Sequence, residues 1–436
     1  MKSTTLTLRC SMCLFVLTGV IWGQDGQWQL GREPQRLILA NGLTVITQTD
    51  DSCANSVVQL FVRGGSRDDP GAAGSGLAYL TMRLALEIPD QTKLRQLMEF
   101  GSSFSLHVSE DYSLITIRTL TRHLQPTLEI LTTIFCNPLF SGLRIDGVKE
   151  QMRHLQKQET DDPASLMRAL SLENFFGNSG YGARLFGDEA SLATIGKKAI
   201  QEFFNAHFVA ANMVAVIISD LDANSLSPML DRFLGSLPAG RKLPPRPPQE
   251  GKEVRPIVTV AYQSAQTLVA YAVLLPALDT ENFVLASLLE SWLGKGIGCR
   301  LWPLREQSDL TYGVNADVLP LQDAMLLTVY LRTGSGRADE AQKNLLQILN
   351  ALYENGVGEK ELSTSRAYAQ ADFWRENENR ERRAATLAFM EGMGLSYRLG
   401  CDFHARLGAV QPERLNRFIR EWLVPARWLC LRIGPQ

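Results

Sequence analysis

The stretch GSGLAYLTMRLALEIPD, residues 74–90, opens a helical pattern. On a helix, residues i, i+3 and i+4 share one face, the spacing at which H-x-x-E-H sets two imidazoles on a zinc ion with a carboxylate beside the metal-bound water. Tyr79, Met82 and Arg83 occupy those positions here. A phenol and a thioether are poor substitutes for that donor set, and a guanidinium repels a divalent cation. Taken alone, the three residues describe an amphipathic helix with a mixed face. A second stretch, LGKGIGCRLWPLREQSDLTYGVNADV at 293–318, carries Arg300 and Tyr312. Both can donate hydrogen bonds to a carbonyl oxygen whose negative charge grows during nucleophilic attack. Without further context, a surface ion pair for Arg300 and a core edge for Tyr312 are the better account. The five histidines, His107, His123, His154, His207 and His404, show no alternative ligand spacing, and no cysteine pair has CxxC spacing.

The elements that must position these residues fall into two similar series. LILANGLTVITQ reads as two extended segments around Asn41-Gly42, a hairpin signal. Strands follow in SVVQLFVRGG, YSLITIRTL and MVAVIISDLD, with helical periodicity between them, as in LQPTLEILTTIF. The Pro-rich, charged stretch PAGRKLPPRPPQEGKEVRP interrupts this pattern and is the best linker candidate. After it come strands IVTVAY and TLVAYAVLL, the helix TENFVLASLLESWLG, strands LTYGVNADVL and AMLLTVYLRT, and long helices to about residue 420. The helix ends at Gly294, a suitable stop, and Gly296 and Gly298 let the chain turn before Arg300, which is expected to open another helix, with Tyr312 near the next strand's start. Residues 204–220 lie over 419–435, Val209 over Val424, with an apolar strand in both. A repeat this long points to duplication of a whole α+β domain. The expected division is 30–240, a linker at 241–255, and 256–436.

With 44 Lys+Arg against 46 Asp+Glu, the net charge of -2 gives no electrostatic case for nucleic acid. At 45% hydrophobic and 21% charged residues, neither a disordered nor a multi-span membrane chain is expected. Lys2 and Arg9 precede an apolar run ending near Gly23, read as a secretory signal peptide over residues 1–23 and hence a periplasmic or secreted protein; the alternative is an anchor that stays. Beyond it lie Cys53, Cys136, Cys299, Cys401 and Cys430, an odd number that argues against a complete disulfide framework and leaves most as small core residues.

VRGGSRDDPGAAGSGLAYLTMR resembles the GSRxE…GxAHxxEH stretch of the pitrilysin or insulinase family of inverzincin metallopeptidases, in its two-domain, mitochondrial-processing-peptidase-like form. The resemblance continues through GSSFSLHVSEDYSLITI, the DDPASLMRALSLENFFGNSGYGARLFGDEASLATI stretch and FLGSLPAG, and covers nearly the whole chain after about residue 30. It implies a fold of two homologous α+β domains. It puts the family's first His on Tyr79, its general-base Glu on Met82 and its second His on Arg83. With Asp161-Asp162-Pro163 as anchor, the third ligand falls on Leu155, with His154 and Glu159 close by. Residues 293–318 resemble GGGxxSRLFxxLRExxGLAYxV, whose Arg and Tyr, matched by Arg300 and Tyr312, hold the substrate backbone across from the zinc helix.

Loss of the zinc half and retention of the Arg/Tyr half imply a non-catalytic subunit. It holds no metal, pairs with a zinc-bearing homologue, and encloses a peptide or unfolded chain, with zinc expected in the partner. The competing expectations are a structural or assembly protein of the same fold, or a peptide-binding module without a catalytic partner.

Overall fold

The computed structural model describes residues 31–254, 256–306 and 310–435, so the expected leader over 1–23 lies outside the described residues. The first half contributes β1 (Gln35–Ile38), β2 (Thr44–Thr49), β3 (Asn55–Val62), β4 (Ser103–Val108), β5 (Ser113–Leu120) and β6 (Met213–Ser219). These form one sheet in the order β1-β2-β6-β3-β5-β4. The second half contributes β7 (Ile257–Ala261), β8 (Gln266–Leu275), β9 (Val314–Pro320), β10 (Met325–Gly334) and β11 (Leu429–Gly434), in the order β7-β11-β8-β10-β9.

The two orders are one topology. If β1 is set aside, the strands of each half stand as first, fifth, second, fourth and third in chain order. The first and fifth run parallel (β2 with β6, β7 with β11) and the other pairs antiparallel. This is the duplication in three dimensions, and β6 and β11 are the two strands superposed in sequence. The hairpin at Asn41-Gly42 also forms, with Ile38 opposite Thr44 and Gly42 at φ +87.

Each sheet is covered on its second face by a helix from the other half. Along β3 the side chains alternate: Val58, Leu60 and Val62 face the first half's own helices, while Val57 and Phe61 face the second half. The Arg380–Gly392 helix packs against β3 and β6 so closely that a Cβ on Gly392 would stand 2.5 Å from the Phe61 ring. Reciprocally, Met167, Leu172, Phe175 and Phe176 of the Pro163–Phe176 helix cover Leu268, Ala270 and Ala272 of β8 together with Leu429, Leu431 and Ile433 of β11. Central strands buried on both faces must be apolar almost throughout, which is why β3, β6 and β8 read as continuous hydrophobic runs.

The stretch read as a linker has no regular secondary structure through residue 254, yet it is tied down: Arg246 bonds both Asp68 and Asp111, and Lys252 N donates to Phe175 O at 2.8 Å. Edge strand β4 was absent from the sequence reading. All five described cysteines are free thiols, as the odd count suggested, but only Cys299 and Cys430 are buried; Cys136 is half-buried and Cys53 and Cys401 are exposed. Among the described residues no helix is long and apolar enough to cross a membrane.

Candidate functional site

The helix that carries Tyr79, Met82 and Arg83 spans Leu77–Ala85. It starts at Gly76, in the left-handed region at φ +92, where a Cβ would also press to 3.0 Å from both the Gly187 N and the Met152 Cε. The buried Asp69 carboxylate caps it, accepting from Gly76 N and Ala78 N at 2.8 Å each and satisfying two donors the first turn leaves open. Burial pushes the Asp69 carboxyl up to about 8, against these backbone donors, which favour its ionised form.

Most of this helix is enclosed, and its three chemistry-bearing positions part company. Met82 is fully buried in the first half's core. Arg83 turns to a partly exposed ion pair, with Nη1 2.6 Å from Glu87 Oε1. Tyr79 stands edge-on to Phe186, ring centres 4.9 Å apart, and lines a cavity of about 440 Å³. Leu155, on the Gly142–Asp161 helix, lines the same cavity with His107, Glu110, Glu159 and Arg168, whereas the neighbouring His154 side chain is 74% exposed. The structure thus brings Tyr79 and Leu155 together and takes Met82 and Arg83 elsewhere.

These residues do not fit zinc. Leu155 has no donor atom, the Met82 sulfur is walled into the core, and burial raises the Tyr79 phenol above its ordinary range, which keeps it protonated. Glu110 is already engaged, both carboxylate oxygens accepting from Arg168 Nη2 at 2.7 and 2.8 Å. Among the described residues no group of three or more His, Cys, Asp or Glu side chains could hold a metal ion.

In the second half the Thr280–Gly294 helix runs to the expected stop, and Gly296, at φ +79, turns the chain. Arg300 does not open a helix: its N–H donates back to Trp292 O at 2.9 Å in an irregular turn, and the following helix begins at Pro303, whose fixed φ suits a first helical position. The exposed Arg300 lines a cavity of about 450 Å³ with Trp302, Glu306, Lys360 and Tyr368, and its guanidinium makes no ion pair with a described residue. Tyr312 is 89% exposed, two residues ahead of β9, and is not among the residues lining that cavity. Neither the ion pair nor the core edge that would explain these residues structurally is therefore present among the described residues.

The insulinase profile of peptidase family M16 matches residues 44–189, across the Leu77–Ala85 helix, and the profile described as the peptidase M16 inactive domain matches 194–368. The chain belongs to peptidase family M16. Among M16 relatives, an uncharacterized zinc protease of Mycobacterium tuberculosis is 22% identical over 75% of this chain and 76% of its own. The uncharacterized zinc protease YmxG of Bacillus subtilis is 18% identical over 89% and 95%. The solved structure of a peptidase M16 inactive domain from Pseudomonas fluorescens superposes with a TM-score of 0.83 at 21% identity, covering 93% of this chain and 98% of that one. The fold is thus the two-domain M16 fold, in a member that lacks the catalytic motif.

Sequence reasoning missed the ionic network that joins the two M16 halves. Arg67, of the GSRDD stretch, donates from Nη1 to Tyr181 Oη at 2.5 Å, from Nη2 to Pro247 O at 2.7 Å, and from Nη2 to Asp323. Asp111, in the β4–β5 turn, accepts from Arg246 Nη1 at 2.8 Å, Gln322 N at 2.8 Å, Tyr181 Oη at 3.2 Å and Arg67 Nη1 at 3.3 Å. First half, linker and second half meet on one buried carboxylate. At the other seam Arg380 and Arg383 reach Asp50, with Arg380 also on Asn55 Oδ1 at 2.7 Å and Arg383 on Gln48 Oε1 at 2.9 Å. The Gly-Ser-Arg run was the visible signal for Arg67; its partners lie 44 to 256 residues away, beyond any local spacing rule.

Proposed function

We propose that this chain is the zinc-free subunit of a heterodimeric M16 peptidase, exported to the periplasm or beyond, that acts on peptides or unfolded polypeptides with a zinc-bearing homologue. The observation that carries this reading is an asymmetry. The metal-ligand positions hold Tyr79, Met82, Arg83 and Leu155, yet the fold is complete and Arg300 and Tyr312 stand unburied. Two groups that hydrogen-bond well and are used by neither core are available to a molecule outside this chain.

The partner's zinc would activate the attacking water. On this chain's side, Arg300 and Tyr312 donate hydrogen bonds to the substrate carbonyl oxygen and bind it more tightly as it gains charge. Among the described residues, edge strand β4 pairs with β5 alone, which leaves one row of its backbone groups open to an extended chain, and its end lines the Tyr79 cavity.

The test is co-expression with a homologous chain from the same organism bearing an intact H-x-x-E-H, followed by native mass measurement. A 1:1 species is expected. A persistent homodimer that ignores the partner favours the structural or assembly role instead.

A further inference from the structure

The cavity beside Tyr79 lost its metal chemistry but kept polar groups with no partner. Of its four charged residues, three are in ion pairs: Arg168 with Glu110 at 2.7 Å, and Arg184 with Glu173 at 3.5 Å. The fourth, Glu159, is partly buried and makes no hydrogen bond or ion pair with a described residue; burial raises its carboxyl, while the charges of Arg184 and Arg168 act to hold it ionised. The Tyr79 hydroxyl and the His107 imidazole, which face the same cavity, likewise have no hydrogen-bond partner among the described residues. These three groups come from three elements: the Leu77–Ala85 helix, the end of β4 and the Gly142–Asp161 helix. His107 is exposed at the cavity; partial desolvation by its neighbours, helped by the Arg168 charge, holds it below its ordinary range, so at neutral pH it offers a lone pair. The lining also holds the apolar Leu106, Leu155, Leu172, Leu185 and Phe186, with Gln158 and Ser165 as further polar side chains.

We propose that this cavity seats a primary ammonium group, the N-terminus of a peptide lying along β4, with the Glu159 carboxylate as its counter-charge and the Tyr79 oxygen and His107 nitrogen as further acceptors. An ammonium has three donors, and the cavity offers three acceptors of which one is charged. An anion would meet arginines that each already hold a carboxylate, although Arg168 Nε has no acceptor among the described residues, and it would meet Glu159, which repels it. Open backbone groups on β4 and apolar walls hold the residues that follow. The inference rests on the reading that this chain holds peptides, and gives that reading a direction: the peptide enters with its N-terminus at the former metal position.

The test is fluorescence anisotropy of the purified chain with a lysine-free heptapeptide of alternating leucine and serine, labelled with fluorescein at its C-terminus. A free N-terminus is expected to bind about 10-fold or more tighter than the N-acetylated form, because acetylation leaves Glu159 without its charged donor. In Glu159→Gln that difference collapses, since the variant keeps the shape and removes the charge. Circular dichroism of the variant checks its fold, and the wild-type comparison stands without it. An acetylated peptide with one internal lysine that binds as tightly as the free N-terminus supports the ammonium seat and assigns it to side chains. Equal binding of the free and the lysine-free acetylated peptide overturns the inference and leaves peptide binding standing. No binding of any peptide overturns both.

Discussion

Replacing Asp111 by Asn should loosen the joint between the two halves, and its cost can be worked from the network. The carboxylate is 1% exposed and faces two guanidiniums, Arg67 and Arg246, themselves 5% and 13% exposed. Asn preserves the volume, so no cavity opens; it removes the charge and one acceptor, since Oδ1 serves Arg246, Tyr181 and Arg67 while Oδ2 serves Gln322 N. A carboxylate and a guanidinium with charge centres about 4 Å apart attract by about 4 kcal/mol at an effective dielectric constant of about 20. Breaking a buried pair costs about 3–5 kcal/mol. Arg67 keeps Asp323 and Arg246 keeps Asp68, which places the loss at the low end, about 3 kcal/mol. With a urea slope near 3 kcal/mol per M, the midpoint should fall by about 1 M. Five of the seven tryptophans, Trp292, Trp302, Trp374, Trp422 and Trp428, lie in the second half, so their fluorescence reports that half while far-UV circular dichroism reports the whole chain. The two transitions should coincide in the wild type and separate in the variant. A midpoint unchanged within about 0.2 M, with coincident transitions, would refute the claim that this network couples the halves.

Three further outcomes follow from named residues. Met82→Glu, which restores the family's base, places a carboxylate in a fully enclosed apolar site and should destabilise the chain by about 3 kcal/mol or more, read as a lower thermal midpoint with no gain of peptidase activity. At Asp50, burial alone would raise the carboxyl, but hydrogen bonds from Arg380 and Ser52 outweigh it and hold the group well below its unfolded value of 3.8. A folded pKa below the unfolded one gives stability that is complete above the unfolded pKa and lost as pH falls through it toward the folded one. Acid unfolding below about pH 4 should therefore be steeper in the wild type than in Asp50→Asn. In the proposed heterodimer, Tyr312→Phe in this chain alone should leave assembly intact and lower turnover by roughly 100-fold, the usual loss of one oxyanion donor. Wild-type turnover by that variant would make Tyr312 structurally and catalytically idle.

How much of this was legible depends on whether the signal was local. The duplication could be read because buried strands declare themselves: β6 and β11 are apolar runs behind similar approaches, so the halves could be superposed by eye. Edge strand β4 could not, because Ser103 and Ser105 occupy its open side and a half-solvated Ser-rich segment looks like a loop. Helical periodicity shows that Pro163–Phe176 and Arg380–Gly392 each bury a face, but not that each buries it on the other half's sheet. The Pro-rich stretch reads as a free linker from composition, while the structure fastens it through Arg246 to carboxylates 135 and 178 residues away. At the candidate site, the losses at Tyr79, Met82 and Arg83 follow from residue type at helical spacing. That Met82 enters the core while Tyr79 opens on a cavity depends on tertiary packing that the helical spacing does not specify.

Tyr79, Met82, Arg83 and Leu155 at the metal positions leave this chain without the donor set for zinc catalysis. This is tested most directly by measuring the zinc content of the purified chain, together with its peptidase activity, before and after chelation. No stoichiometric zinc, no peptide cleavage and no change on chelation are expected. One tightly held zinc per chain, lost on chelation along with a measurable peptidase activity, would contradict that expectation.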